Sequence, residues 1–533
     1  MKTFLLLAVI ALLNLSCTIQ SPPNAKDVKD ISPTTININL SEYSRSIYVS
    51  YTSGNDLKGT GSINQPFATI GFTLQDLKPA ENEKIAVLVS TGEYFDHSLT
   101  LSEGVHLLGG FSPGNWYRDI DNNRSIINGS GKGRILSAAN NSVIDGFTIT
   151  GGVIRDKGGA ILCDGTSPRI SNNIFSGNKT LKPEPWNPKF WHETANDGGA
   201  VYGRNGASPV IKNNLFVNNK TENGRGAAVA FDGNCKPKII ENVFLQNVAG
   251  LDDPMRSSDA GAVSIFRWCD TDIIGNVFLG NRSLSNNDGG AVFIALWSSG
   301  RINNNVFVDN ACDDDAGAVF VGGQEHRYDA PLDPLPPRDK FYVSMANNVF
   351  MRNFNPSMNS GVMRFTMESR GDFKNNITAY NNGIYFQRSE VEVVDNVIMD
   401  NFLFIETKEG LGIGTVKDNL IWADFDLQIE ANIINNNMKY IYEGNGNYSK
   451  RPVFDNDGFK LDVIASNSIR YKNYSVLSVL NKFFLDNELV NRVVKVGEKW
   501  GVVKSNDAES IQVWGDFSAV TELEILPTFS LKN

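Results

Sequence analysis

A short unit, Asn-x-Phe-x-x-Asn, recurs along the middle of the chain and constrains its fold more than any other feature. It reads Asn173-Ile-Phe175 with Asn178, Asn214-Leu-Phe216 with Asn219, Asn242-Val-Phe244 with Asn247, and Asn276-Val-Phe278 with Asn281. It continues as Asn305-Val-Phe307 with Asn310 and Asn348-Val-Phe350 with Asn353. Degenerate copies follow at Asn376-Ile377 with Asn381, at Asn396-Val397 with Asn401, and at Asn419-Leu420. Successive copies lie 20 to 43 residues apart, the period of a solenoid or repeat array.

A second landmark precedes the asparagines: Asp197-Gly-Gly-Ala-Val201, Arg225-Gly-Ala-Ala-Val229, Asp259-Ala-Gly-Ala-Val263, Asp288-Gly-Gly-Ala-Val292 and Asp315-Ala-Gly-Ala-Val319, with Gly158-Gly-Ala-Ile161 opening the series. The first four begin 17 residues before Asn214, Asn242, Asn276 and Asn305. Two landmarks at a fixed separation, with variable lengths between units, describe a repeating frame whose insertions fall mostly at one corner. Gly and Asn tolerate left-handed backbone and sit where a strand bends into the next face. Identical Asn residues stacked at the strand spacing of about 4.8 Å form an amide ladder inside the bend. Val, Ile and Phe around them fill a pleated interior. The Leu frame of a leucine-rich repeat is absent, and the repeats show no 3.6-residue periodicity that would make them helical.

A chain of 533 residues exceeds what one compact core holds, but a solenoid core grows along one axis, each repeat touching only its neighbours. The net charge of −10 and pI near 5.1 argue against nucleic acid, which needs a basic stripe.

The ends differ from the middle. Lys2 followed by Phe4 to Leu13 reads as an export signal, too short to span a bilayer. Leu15-Ser16-Cys17 resembles the lipobox of bacterial lipoproteins, although Asn14 stands where Leu is usual. That resemblance implies lipidation at Cys17 and an anchor in the outer membrane, ordinary secretion being the alternative. Residues 18–45, rich in Ser, Pro, Asn and Asp, then form a flexible tether. From Asn487 the texture changes again. Val493-Val-Lys-Val496, Lys499-Trp-Gly-Val-Val503, Ser510-Ile-Gln-Val-Trp514 and Leu523-Glu-Ile-Leu526 alternate like short antiparallel strands. A small C-terminal β-domain or cap is expected over 476–533, with a short helix over Val476–Leu489 at its start.

Several segments resemble the right-handed parallel β-helix superfamily, often called pectin-lyase-like. They are Ile47-Tyr-Val-Ser50 with Pro66-Phe-Ala-Thr-Ile70, Gly104-Val-His-Leu-Leu-Gly-Gly-Phe111, the rung-like Ile144-Asp-Gly-Phe-Thr-Ile149, and Asn445-Gly-Asn447 with Arg451-Pro-Val-Phe454 and Phe459-Lys-Leu461 as a closing turn. The Gly-Gly-Ala-Val and Phe-x-x-Asn pair is also similar to the repeats of chlamydial polymorphic outer-membrane proteins, although the residues left after the closing turn are too few for their terminal barrel. The resemblance implies an all-β chain: a right-handed parallel β-helix over 46–475 and the small β-domain behind it. It implies no single activity, since the fold hosts lyases, hydrolases, epimerases, adhesins and phage spikes.

If equivalent positions stack, self-alignment maps surfaces. The column Asp197, Arg225, Asp259, Asp288, Asp315 places carboxylates on consecutive coils, where they repel, raise one another's pKa or share a cation. Asp259, Asp288 and Asp315 are thus candidate Ca²⁺ ligands, and Asp259 and Asp288 a candidate acid/base pair. The alternative is that these residues suit a turn and cap backbone amides. Trp268 and Trp297, each nine residues after an aspartate, fall at equivalent places on adjacent coils. They are either a stacked platform for sugar rings or part of a core. Arg267 beside them is placed to neutralise a substrate carboxylate. Trp186 and Trp191 in one insertion, and Asp252 and Asp253 in another, are placed to wall a groove. Cys235 and Cys269 align, and their neighbouring coils bring them within disulfide range. Two functions follow: a surface-displayed protein binding glycans or other cell-surface ligands, or a polysaccharide lyase, hydrolase or epimerase. The Gly-His-Gly site of polygalacturonases of this fold is absent.

Overall fold

In a computed structural model of the chain, the structure describes residues 38–184, 195–251, 258–284, 287–323, 341–355, 361–387, 389–400, 402–405, 415–421, 458–469, 473–479 and 484–527. Cys17, Trp186, Trp191, Asp252, Asp253 and the segment 445–454 lie outside them. The first part is a right-handed parallel β-helix with, among the described residues, sheets of thirteen, twelve and eleven strands, here called the first, second and third, and a short sheet of six. One coil shows the pattern: Lys238–Ile240 in the first sheet, Val243–Leu245 in the second, Val248–Ala249 in the short sheet, then Val263–Phe266 in the third. Each strand pairs in parallel, in register, with its counterpart one coil on; Val243, Phe244 and Leu245, for example, face Val277, Phe278 and Leu279.

The repeated residues do what their chemistry permits. Asn242 donates its side-chain amide to Asn276 Oδ1 at 3.1 Å and to Ile211 O at 3.0 Å, while its backbone N–H also reaches Asn276 Oδ1 at 2.8 Å. This ladder runs from Asn173 to Asn419, and a parallel one runs from Asn178 to Asn381. Buried backbone groups at the bends are thereby paired at every level. The second ladder ends on Asp400 rather than Asn401, which lies outside the described residues. Between the ladders the phenylalanines stack face to face from Phe175 to Phe350, with ring centroids 4.7 to 5.0 Å apart. In the Asp288 turn a Cβ on Gly290 would stand 2.0 Å from Gly317 O on the next coil, so this coil requires glycine at that position, where the Arg225 turn has Ala227. A short helix, Ile70–Gln75, capped by Thr69 and by the Asp96 carboxylate, packs at the N-terminal opening.

The C-terminal unit is a closed antiparallel barrel of six strands. It begins at Phe459–Ile469 and continues through Tyr474–Val479, Val493–Val496, Lys499–Asn506, Ser510–Trp514 and Glu522–Ile525. It therefore takes in residues 459–469 and 473–475, which the sequence assigns to the solenoid, and Phe459-Lys-Leu461 opens its first strand. The expected helix over Val476–Leu489 is also not formed at its start: Tyr474–Val479 is a strand whose Ser475, Leu477 and Val479 are buried. The barrel sits on the outer face of the second sheet, where Val493, Val502, Trp514 and Leu526 pack against Leu215, Val243, Val277 and Val306. Among the described residues no helix is long and apolar enough to cross a membrane.

Candidate functional site on the outer face of the third sheet

Strand alternation sends Val229, Phe231, Val263, Ile265, Val292, Ile294, Val319 and Val321 into the core. The intervening residues Asp232, Ser264, Phe266, Phe293 and Phe320 point the other way. Phe293 stacks on Phe320 at 5.0 Å and meets Phe266 at 6.3 Å. These outward rings are buried all the same, in a second apolar cluster with Leu296 and Trp297.

The aspartate column lies at the turn before this sheet, and it stacks. Asp259 Oδ1 accepts the backbone N–H of Asp288, and Asp288 Oδ1 accepts that of Asp315, each at 3.2 Å. Asp197 Oδ1 accepts from Arg225 N at 2.8 Å. The turn-capping role and the column are thus the same arrangement. Arg225, fully buried, also forms a two-pronged pair with Asp197 at 3.1 and 2.7 Å, and lies 3.7 Å from the Phe266 ring centre. At the other end Arg364 pairs with Asp315. Asp259 and Asp288 stand between these two cations.

Burial tends to raise the Asp197 carboxyl, but Arg225 and Lys157 outweigh it and hold it at about 2. Burial pushes Asp259 up to about 6, against the opposing pull of the Asp288 N–H and Arg225. Burial, followed by the charges of Asp259, Asp315 and Asp314, pushes Asp288 well above the usual carboxylate range. Burial and stacking together thus make both carboxyls harder to ionise than a free aspartate. The column strings its carboxylates, the expected cation ligands, along the axis, one per coil, with Asp259 and Asp288 turned to the next coil's amide and Asp315 to Arg364. Among the described residues no group of three or more such ligands converges.

At the far end of the strands, Trp268 stacks on Trp297 at 4.8 Å with the rings 19° apart, and Phe341 meets Trp268 edge-on at 5.7 Å. The alignment of the two indoles is correct, but the pair is not an open platform: Trp297 is 2 % exposed and, among the described residues, its indole N–H has no hydrogen-bond partner, while Trp268 is half-buried. Both adopt left-handed backbone, φ +65° and +58°, where other coils place Gly206 and Asn234. For a bulky residue this costs about 1–2 kcal/mol. Arg267 is not a waiting carboxylate receptor either. It binds Asp232 of the preceding coil through Nε and Nη2 at 2.7 and 2.5 Å. Cys235 and Cys269 are neighbours as expected, but both are free thiols turned toward carbonyls of their own turns, Asp232 O at 3.5 Å and Phe266 O at 3.1 Å.

Sequence reasoning missed Arg225 and Asp232 as the centre of the ion network, and Arg364 as the column's closing cation. Asp232 and Arg364 were legible as polar outward positions in otherwise apolar strands.

The comparisons with known proteins come to this geometry from outside. A family model described as a protein of unknown function (DUF1565) matches residues 52–266. No curated protein sequence matches the chain. Solved structures similar to it include the GH136 lacto-N-biosidase from Eubacterium ramulus, at 11% identity over 71% of this chain and 68% of that one, TM-score 0.24. A complex of XylC with xylose is 10% identical over 82% and 90%, TM-score 0.28. The tailspike protein of E. coli bacteriophage HK620, in complex with a pentasaccharide, is 8% identical over 85% and 91%, TM-score 0.21. Likenesses this distant leave the functional reading to the geometry.

Proposed function

We propose that this chain is an exported, envelope-anchored β-helix protein that binds glycan chains along the outer face of its third sheet, with Trp268 as the stacking contact. The observation that carries the reading is the indole pair. Two tryptophans are held in a backbone conformation they disfavour, one buried as a support and the other left half-exposed upon it. Gly206, Asn234 and Glu368 take the same left-handed conformation at this place in other coils, so what sets the two tryptophans apart is the aromatic face they put there. A flat apolar face with a polar rim suits the faces of sugar rings, and the Arg267–Asp232 pair beside it supplies hydrogen-bonding groups for hydroxyls. Anchoring at Cys17 rests on the sequence around it; palmitate labelling lost in Cys17→Ser supports it, and equal labelling of the variant overturns it.

A second reading is favoured by the acid column. Asp288, its carboxyl pushed above the usual range by burial and neighbouring carboxylates, is suited to donate a proton to a glycosidic oxygen, and Asp259 above pH 6 to act as the carboxylate partner. One experiment separates the two. Fluorescence titration and product analysis against a polysaccharide panel are run on the mature chain, Trp268→Ala and Asp288→Asn. Binding without cleavage, lost in Trp268→Ala, supports the first reading. Cleavage that stops in Asp288→Asn selects the second, and binding untouched by Trp268→Ala sinks the first.

A further inference from the structure

We propose that the cap closing the N-terminal end of the solenoid is a membrane-contacting surface, which lays exposed apolar side chains into the interfacial layer of a lipid bilayer. The cap has a structural duty first. Arg45–Val49, Gly92–Tyr94 and Leu99–Thr100 open the first, second and third sheets, so each presents an edge with no coil before it. Residues 61–67 cover the first edge: Tyr48 N donates to Gly61 O at 2.9 Å, Phe67 N to Tyr48 O at 2.9 Å and Ser50 N to Phe67 O at 2.8 Å. The Tyr51 ring meets Tyr94 edge-on at 5.9 Å, and the helix Ile70–Gln75 lies against Leu99–Thr100. An edge covered in this way is kept from pairing with another chain.

Edge protection does not explain the outer side of the cap. A capping unit stays soluble by turning a polar face to water. Here Tyr51, Leu57, Ile63, Phe72 and Phe95 are exposed, Leu57 at 94 % and Phe95 at 62 %. They are five of the twelve large apolar side chains exposed among the described residues, so exposed apolar surface is concentrated at this end, as at an interaction site. The carboxylates among them are engaged by the cap's own backbone. Asp56 accepts the N–H groups of Ala68 and Thr69 at 2.7 and 3.1 Å, and Asp96 those of Ile70 and Gly71 at 3.2 and 3.1 Å. Lys58, beside Leu57, is exposed, and its stem can follow apolar surface while its ammonium reaches lipid phosphates.

A bilayer rather than a second copy is the occupant because of where the chain enters. Ile38 and Tyr43 pack against the cluster of Ala86, Leu88 and Leu108 in these first coils, so the segment leading back to Cys17 leaves the fold at this end. An anchor at Cys17 brings this face nearest the membrane. The choice of membrane rests on the envelope-anchored reading; the affinity itself does not.

The test is flotation of the chain from Thr18 onward, which carries no acyl chain, with vesicles of phosphatidylethanolamine and phosphatidylglycerol. Leaving out the lipid keeps the outcome separate from anchoring at Cys17, which palmitate labelling decides. We expect the protein to float with the vesicles, and Leu57→Ser with Phe95→Ser to bind roughly tenfold or more weakly with unchanged thermal unfolding. Ile464→Ser with Leu485→Ser removes comparably exposed side chains from the barrel and should bind as the parent does. Absence of flotation overturns the proposal, as does flotation that survives the cap variant or falls as far in the barrel variant. So does a concentration-dependent dimer in sedimentation velocity that the cap variant abolishes, which assigns the face to a second copy.

Discussion

Asp400 shows how much one atom matters in a stacked column. Where the preceding coils end the second ladder rung in asparagine, its two carboxylate oxygens take the backbone N–H of Asn381 at 2.8 Å and that residue's amide at 2.6 Å. Burial pushes its pKa up to about 7, above the unfolded value near 3.9. The folded state therefore holds a proton that the unfolded chain loses first. Its contribution is fully present below about pH 4, falls as pH rises through that window, and is gone above about pH 7, with a slope of up to ~1.4 kcal/mol per pH unit. Asp400→Asn should raise unfolding free energy at pH 8 and leave it nearly unchanged at pH 4, measured by denaturant titration. The two tryptophans should divide in the same assay. Trp297→Ala empties a buried volume and should cost about 3–5 kcal/mol, against about 1 kcal/mol for the half-exposed Trp268→Ala.

At the scale of the element, the ladders and the phenylalanine stack are the devices that keep strands in register. Asn276→Ala removes the acceptor for both the backbone N–H and the amide of Asn242, leaving buried donors unpaired. It should cost about 2–4 kcal/mol, more than Phe278→Leu at about 1 kcal/mol, and should speed hydrogen exchange at Asn242 first. Both devices were legible because each coil repeats the same chemistry. Two elements were not. The Asn401 assignment counted a constant five residues from Asn396, but the second-sheet strand there shrinks to Val397–Ile398, and Asp400 takes the rung. The helix expected from Val476 overlooked a two-residue alternation, Ser475, Leu477 and Val479 facing one way, which is a strand signal.

At the scale of the whole molecule, the barrel's seat follows from a pattern written in the repeats. Ile174-Phe-Ser176 has a polar third residue, whereas Leu215-Phe-Val217, Val243-Phe-Leu245, Val277-Phe-Leu279 and Val306-Phe-Val308 are apolar throughout. Phe points inward, so its neighbours offer an apolar outer face, and a sheet apolar on both faces must be covered. Val502, fully buried at that contact, is the place to break it. Val502→Asp buries an unpaired carboxylate and should loosen the barrel from the coils. Limited proteolysis should then cut near the junction while the solenoid fragment keeps its β-sheet circular dichroism; an unchanged cleavage pattern counts against the seat.

Sequence alone determined the coil, its stacking axis, the two ladders and the strands from Val493 onward, because these depend on residues interacting with their own copies about 4.8 Å away. Only tertiary structure decided what the outward residues became. Trp297 is buried and Arg267 is bound because Phe341 packs against the indole pair from beyond an insertion and Asp232 of the coil before supplies an acid. The Asp288 carboxyl is pushed above the usual range because it is buried and because its neighbours in space are carboxylates. Such outcomes depend on which groups from distant parts of the chain share one desolvated face, and no repeat spacing encodes that.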